Sequence, residues 1–223
     1  KEKENLTAER ELLGIYTTGH PLNRYRRIIK DIQTISLANL AEASDNLDVR
    51  VAGMAASVTR RISKQSKEPW AVLMLDDGEA SIETLVFPKA FKQFEGTCIP
   101  DQPVLVCGTL SKRDEPLKII ANEVYPLMDA PRHFGEKVIV GIKTDDGQSL
   151  TRIDALRRLV DRHPGTVPLL ICLIYPDKKR ILIQPDRALS IDPSPEFNAE
   201  AEGLLGRNGI KLIAKKDIYK VPR

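Results

Sequence analysis

A mixed α and β fold built around a five-stranded β-barrel is predicted by three features of the sequence. Between Asn46 and Leu127, five runs rich in apolar and β-branched residues are separated by turn residues, and a short helix follows the third run. Three strands, a helix and two strands is the order of an OB-fold barrel. Ahead of this stretch the apolar residues recur at helical spacing, and behind it a second α+β pattern begins. The spacing predicts a helical adaptor over residues 1–45, an OB-fold domain over 46–127, a linker over 128–135 and a C-terminal α+β partner-binding domain over 136–223.

In the adaptor, Thr7 caps a first helix that carries Leu12, Ile15 and Tyr16 on one face, and Gly19 stops it. His20-Pro21 turns the chain into a second helix with Leu22, Tyr25, Ile29 and Ile32, and a third is expected from Ser36 to Ala43. The barrel opens with Val49, Val51, Met54 and Val58. A basic hairpin loop follows, and the second strand is Trp70-Ala-Val-Leu-Met-Leu75. An Asp76-Asp77-Gly78 turn leads to Ile82–Phe87 and a Pro88-initiated helix, then to strands at Pro103–Leu110 and Leu117–Leu127. Met128 to Gly135 shows no periodicity, which is the pattern of a linker.

Beyond it, Lys137–Lys143 alternates as a strand, Ser149 caps a helix with Ile153, Leu156, Leu159 and Val160, and His163-Pro164-Gly165 ends that helix. Leu169–Tyr175 is a continuous apolar strand, Asp177-Lys178-Lys179 a hairpin turn, and Ile181 and Ile183 mark the partner strand. Ser194-Pro195 starts a helix with Phe197, Ala201, Leu204 and Leu205; Gly206 follows it and Ile210–Ile213 closes the domain. The β-α-β-β-α-β order predicts a small split-βαβ, ferredoxin-like layout, to which Ala188–Ile191 adds an optional strand. The run Leu169–Ile174 is apolar on both sides, which suits a central strand covered on both faces or a protein-binding surface, and the covered reading is preferred.

A net charge of +3, the difference between 34 basic and 31 acidic residues, makes the electrostatic case for any partner a local one. The three cysteines, Cys98, Cys107 and Cys172, are odd in number and widely spaced, as free thiols are. No signal peptide or apolar run of membrane-spanning length is present, and a cytoplasmic location is expected. The chain opens on Lys1 and enters a charged helix directly, which reads as part of something longer.

Two cationic clusters coincide with the loops that OB barrels use for nucleic acid. Arg60, Arg61, Lys64 and Lys67 stand between the first two strands; Lys112, Arg113 and Lys118 stand in or beside the loop between the last two. Phosphates need cations along one groove, so both clusters are assigned to a nucleic-acid site. Trp70, at the end of the first loop, is either a stacking platform for a base or a core residue under the barrel mouth, the reading preferred here. Asp76-Asp77-Gly78 and Asp145-Asp146-Gly147 read as turns rather than metal carboxylates. His20, His133 and His163 lack a second ligand at metal spacing, and no nucleophile triad, phosphate loop or dinucleotide fingerprint is present. Neither a catalytic residue nor a cofactor is therefore expected.

Glu9-Arg10-Glu11-Leu12-Leu13-Gly14-Ile15-Tyr16 leads into Thr18-Gly19-His20-Pro21-Leu22, and the barrel opens with Val51-Ala52-Gly53. Leu75-Asp76-Asp77, Leu85-Val86-Phe87-Pro88 and Ala121-Asn122-Glu123-Val124 follow. These elements resemble the C-terminal part of bacterial replicative DNA polymerase III alpha subunits. The resemblance implies that the polymerase active site and main sliding-clamp motif lie upstream and that this segment is not itself catalytic. It also implies that the OB domain contacts single-stranded template, and that the C-terminal domain contacts the clamp-loader tau subunit and lies near the sliding clamp. Two other readings stay open: a tRNA anticodon-binding OB module of an aminoacyl-tRNA synthetase, which calls for aromatics on the barrel face, and a protein-binding scaffold without nucleic-acid binding.

Overall fold

Strand β1 (Asp48–Ile62) is long enough to take two partners, and this closes the barrel. Its first half pairs antiparallel with β4 (Pro103–Ser111) and its second half with β2 (Pro69–Asp76), with a register shift between Ala55 and Ser57 where the partner changes. Gly53 lies beside that change, and a Cβ there would sit 2.5 Å from Leu75 Cγ. Strand β3 (Ser81–Val86) pairs with β2, and its parallel pairing with β5 (Lys118–Pro126) completes a closed barrel of order β1-β2-β3-β5-β4. Val51, Leu73, Leu75, Val106 and Ile119 fill the interior at 0% exposure. Between β3 and β4, a short helix begun by Pro88 (Pro88–Phe94) presses the buried Phe91 against this core.

The structure is a computed structural model that describes residues 20–113, 115–144, 147–185, 189–206 and 209–219. The expected first helix of the adaptor therefore lies outside the described residues, as do Asp145, Asp146 and Ala188. The second adaptor helix begins as a 3-10 turn, Pro21–Tyr25, and continues as α1 (Arg26–Ile32). The third is a 3-10 turn, Leu37–Ala41, whose Leu37 and Leu40 are buried with the barrel core.

Arg50, on β1, is the fastening point of this half of the chain and is only 3% exposed. Its Nε donates to the Ile32 carbonyl at 2.7 Å and its Nη1 to the Asp217 carbonyl at 3.0 Å. Arg50 N also donates to Thr34 Oγ1 at 2.9 Å, and Thr34 N returns a bond to Arg50 O at 2.8 Å. Farther along the chain's end, Tyr219 Oη donates to Asp48 Oδ1 at 2.9 Å and accepts from Asn122 Nδ2 at 3.1 Å. Adaptor and tail are thus tied to the outer side of β1, β4 and β5.

The chain divides into two compact units, one running to Met128 and resuming at Asp217, the other Asp129–Lys216. The expected linker is instead helical: a 3-10 turn, Leu127–Asp129, followed by Ala130–Phe134, with Leu127, Ala130, Pro131 and Phe134 buried. The few apolar residues of this stretch pack inward, although they are too few to show a period.

In the second unit, β6 (Gly135–Lys143), a helix (Ser149–Arg162), β7 (Pro164–Ile174), β8 (Arg180–Ile183), a helix (Pro195–Leu205) and β10 (Ile210–Ala214) follow the anticipated element order. Gln148 rather than Ser149 occupies the N-cap of the first helix, whereas Ser194 caps the second by accepting from Phe197 N at 3.2 Å. The layout is not the split one. The sheet order is β10-β6-β7-β8, with β6 and β7 directly paired in parallel, Val138 opposite Leu169. A split layout would put β8 between them, yet all four residues of β8 are exposed, which suits an edge and not an interior position. The optional strand is present as β9 (Ser190–Ile191), paired with β7. Both helices contribute to one core, with Leu156, Leu159, Phe197 and Ala201 against Val138 and Val140. The run Leu169–Ile174 is central in the sheet; Leu169 is buried, and Leu170 to Ile174 are half-buried. Among the described residues no helix is long and apolar enough to cross a membrane.

Within residues 20–219, trypsin is expected to cut first at Lys64 or Lys67, in the exposed β1–β2 hairpin, and to leave the helical stretch around Arg132 intact. Mass spectrometry of early digests reads this, and first cleavage after Arg132 would contradict the packing described. Arg50→Met is expected to cost about 1–3 kcal/mol, since the Ile32 carbonyl loses its donor in a buried site and the Asp217 carbonyl in a part-buried one. Chemical denaturation followed by tryptophan fluorescence measures it, and a loss below about 0.5 kcal/mol, the level of ordinary surface substitutions, would remove Arg50 as the fastening point.

Candidate nucleic-acid interface

Strand alternation sorts the candidate residues onto two sides of the barrel wall. In β2, Ala71, Leu73 and Leu75 point into the core, so Trp70, Val72 and Met74 point outward. In β3, Ile82, Thr84 and Val86 are buried, which leaves Glu83 and Leu85 on the outer face. Register places Val72 opposite Leu85 and Met74 opposite Glu83; Leu85 in turn faces Ile120 of β5 and Glu83 faces Lys118. The result is a half-buried apolar strip, Trp70-Val72-Met74 beside Leu85 and Ile120, on the outer face of strands 2 and 3.

An aromatic and cationic stack stands at the β1–β2 loop end of this strip. The rings of Trp70 and Phe87 are 5.7 Å apart at 31°, and Phe87 remains 42% exposed. Arg61 is opposite Trp70 in register, with its guanidinium carbon 5.7 Å from the centre of a Trp70 ring. Trp70 is therefore not a core residue: its position in the strand puts the ring outside, half-buried against Phe87.

The cations, expected to line a single groove, separate. Arg60 is opposite Ala71, on the other side of the strand from Arg61, where Nη1 is 3.2 Å from Glu95 Oε1 and the guanidinium lies 5.9 Å from the Phe91 ring. Lys64 and Lys67 are exposed on the hairpin tip; Lys67 has φ +59° and donates its N–H to Ser63 O at 3.0 Å. Lys112 turns to the adaptor, its Nζ donating to Ala41 O at 2.6 Å and its N to Asp45 Oδ1 at 2.8 Å. Arg113 is exposed in the β4–β5 loop, and Lys118 pairs with Glu83 at 3.3 Å on the outer face. Arg61, Trp70 and Lys118 thus share the strand 2–3 face, and Arg60 does not.

Sequence reasoning missed Phe87, Val72, Met74 and Leu85. In β2 both parities are apolar, so the run does not reveal its outward side. The alternation Ser81, Glu83, Leu85 against Ile82, Thr84, Val86 carries that information, and pairing transmits it to β2.

The remaining candidates have structural duties. Asp76 Oδ1 accepts from Gly78 N at 2.8 Å, and Asp77 Oδ1 accepts from Glu79 N and Ala80 N at 3.0 and 2.9 Å; these are turn bonds. Asp77 Oδ2 also accepts from Leu37 N at 3.3 Å, joining the turn to the adaptor. His20 Nδ1 accepts from Leu22 N at 3.3 Å as the helix cap, with Nε2 3.5 Å from Asp76 Oδ1. No cluster of three metal-ligating side chains occurs among the described residues. The cysteines are free, and burial pushes the Cys98 thiol up to about 11 and Cys107 higher still, so both are protonated and unreactive near neutral pH.

Residues 49–127 match a family model described as an OB-fold nucleic acid binding domain, tRNA_anti-codon. A DNA polymerase III subunit alpha of Mycobacterium tuberculosis is 31% identical over 208 residues, 92% of this chain and 17% of that protein. The same subunit of Saccharopolyspora erythraea is 31% identical over 229 residues, 95% of this chain and 18% of that one. That of Thermus aquaticus is 28% identical over 223 residues, covering 96% and 17%. A solved structure of RecG bound to a three-way DNA junction is similar over 52% of this chain and 16% of that one, at 20% identity and a TM-score of 0.34. The chain spans about a sixth of the length of the curated relatives it matches. With a closed five-stranded barrel at the matched OB region, this chain is related over most of its length to a part of bacterial DNA polymerase III alpha subunits and carries an OB-fold domain.

Proposed function

We propose that the barrel holds single-stranded template DNA across the outer face of strands 2 and 3, as part of a replicative DNA polymerase. The observation that supports this most is the Arg61-Trp70-Phe87 stack, set at the β1–β2 hairpin end of the outer face of strands 2 and 3. A base laid on Trp70 or Phe87 meets a flat ring, while Arg61, Lys64 and Lys67 meet its phosphates. Lys118 and Arg113 take the backbone at the far end of the strip. Stacking and backbone charge are both indifferent to sequence, so the mode suits a protein that must let any template pass.

The second unit is proposed to dock replisome partners, the clamp-loader tau subunit first, with the sliding clamp close by. Its support is the edge strand β8, where Ile181, Leu182 and Ile183 are 39%, 57% and 39% exposed. An apolar edge with unpaired backbone groups is a template for an added strand.

Titration of the chain with labelled oligothymidylate at two salt concentrations tests the DNA reading. With three to four phosphates neutralised, the log–log salt slope is expected at roughly −2 to −3, from about −0.7 per contact on single strands. Trp70→Ala is expected to weaken binding by about 1–3 kcal/mol, the usual loss for a stacked base. Arg61→Ala lowers affinity and flattens the slope, whereas Arg60→Ala, on the other side of the strand, leaves both nearly unchanged. Equal effects of the two arginines, or a slope near zero, would reject this face. Competition with RNA of the same sequence separates the DNA reading from an anticodon-binding one.

Docking is tested by pull-down and sedimentation with purified tau. Leu182→Lys is expected to reduce tau binding at least tenfold while leaving oligothymidylate affinity intact; undiminished binding would move the docking site away from β8.

A further inference from the structure

We propose that the helix-free face of the second unit's sheet docks a short amphipathic helix of a partner protein, one whose apolar stripe is flanked by carboxylates. The assignment goes beyond the edge-strand reading above, since it uses the flat of the sheet rather than its edge and takes a helix rather than an added strand.

Pairing sorts the side chains of this sheet onto two faces. Val138 opposite Leu169, Val140 opposite Ile171 and Ile142 opposite Leu173 point to the helices and form the core beneath them or pack against it. Ile139 opposite Leu170, Gly141 opposite Cys172 and Lys143 opposite Ile174 therefore point the other way, and register adds Leu182 of β8 and Ile213 of β10 to the same side. Ile139, Leu170, Cys172, Ile174 and Ile213 are half-buried, Leu182 is 57% exposed, and none of them belongs to that core. Gly141 makes a dip in the middle of this face, where a Cβ would sit 3.0 Å from Ile174 Cδ1. A sheet covered on one face commonly turns polar residues to the other; here the centre of the other face is aliphatic.

The charges around that centre choose the occupant. Lys211 is opposite Ile139, and Lys143 and Arg180 flank Ile174 from β6 and β8; all three cations are exposed. Lys137, opposite Ile213, is half-buried and lies 3.0 Å from Glu136, which points to the helix side. Among the described residues, the paired positions of the four strands that point to the open face hold no carboxylate. A segment with an apolar stripe and carboxylates on its flanks satisfies the aliphatic centre and the basic rim together. The dimensions agree, because Ile139 to Lys143 spans about 13 Å along the strand and two turns of helix span about 11 Å. Single-stranded DNA suits the face poorly, since its paired positions offer no aromatic ring to a base and its aliphatic centre offers nothing to a phosphate. A second copy of the chain brings the same cations and is repelled.

Cys172 stands at the centre of the face and reports its occupancy, because Cys98 and Cys107 are buried. The test follows alkylation of Cys172 by iodoacetamide in the full chain, by mass spectrometry, with a synthetic helix of about 14 residues that carries Leu at i, i+3, i+4 and i+7 and Glu on both flanks. The Glu-flanked helix is expected to slow Cys172 alkylation by roughly tenfold at saturation, as steric cover of a thiol does, while the same helix with Lys for Glu gives no protection. Lys143→Glu combined with Lys211→Glu, both at exposed positions, should exchange the two results, and protection by the Lys-flanked helix then shows that the variant is folded. If that double reversal by itself speeds alkylation, Lys143→Gln with Lys211→Gln takes its place and should weaken protection by roughly fivefold; undiminished protection overturns the assignment. No protection by the Glu-flanked helix at about 1 mM, or equal protection by both helices, also overturns it. Protection by oligothymidylate alone gives the face to nucleic acid, and protection that grows with chain concentration alone gives it to a second copy; either outcome rejects the partner helix. None of these results decides strand addition at β8, which rests on the tau measurement.

Discussion

A single buried guanidinium organises this half of the chain. Arg50 sits on the outer side of β1, where an ordinary barrel residue would face water, and it is covered by the adaptor at Ile32 and by the returning tail at Asp217. Burying a charge is unfavourable unless its donors are engaged. Burial lowers the Arg50 pKa, and nearby Asp217 works against that shift. The two carbonyl bonds, made through Nε and Nη1, hold two segments 185 residues apart in sequence against one strand. Across the sheet, Arg50 is opposite Cys107 and Cys107 opposite Glu123, which is itself only 6% exposed, so the covered side of the barrel carries a polar layer beneath the adaptor.

The barrel has two outer sides, and their division of labour follows from that fastening. The side of β1, β4 and β5 holds the tail and the adaptor's Ile32–Thr34 end, through Arg50, Asp48, Thr109 and Asn122. The side of β2 and β3 keeps half-buried apolar residues and two aromatic rings at its surface. On the reading proposed above, this half-buried apolar strip with cations at its ends is the face that takes the DNA. Local geometry also sorts the adjacent cations of the first hairpin onto different sides of the strand. Arg60 is neutralised by Glu95 on one side of the strand, while Arg61 is stacked on Trp70 on the other.

The second unit is a four-stranded sheet with a fifth, two-residue strand beside β7. Its helices both pack through the core that contains Val138, Val140 and Leu169. The crossover from β6 through the helix Ser149–Arg162 to β7 is short and direct, so the two most apolar strands become neighbours. That choice leaves β8 at the edge, where its side chains are exposed whatever their polarity. Arg132, bonded to both oxygens of Asp192 at 2.6 and 2.7 Å, ties the helix Ala130–Phe134 to the segment after β9.

The order of elements, the closed barrel and the place of the two basic loops are legible in the sequence, because they depend on local signals: periodicity, turn residues and a proline that starts a helix. The Asp76-Asp77-Gly78 turn and the unreactive, buried Cys98 and Cys107 are legible for the same reason. Three features depend on pairing or packing between distant residues, and only the tertiary structure decided them. Which side of Trp70-Ala-Val-Leu-Met-Leu75 faces outward follows from β3, since both parities of β2 are apolar and the strand alone has no preferred side. The separation of Arg60 from Arg61 follows from the same register, invisible in a run of adjacent cations. Whether a β-α-β-β-α-β chain splits its parallel pair is a matter of which strand tolerates exposure, and β8 with no buried residue settles that against the split layout. The return of the chain's end to Arg50 and Asp48 had no sequence signal at all, because a backbone carbonyl at Asp217 and one tyrosine hydroxyl become partners only when the fold brings them there.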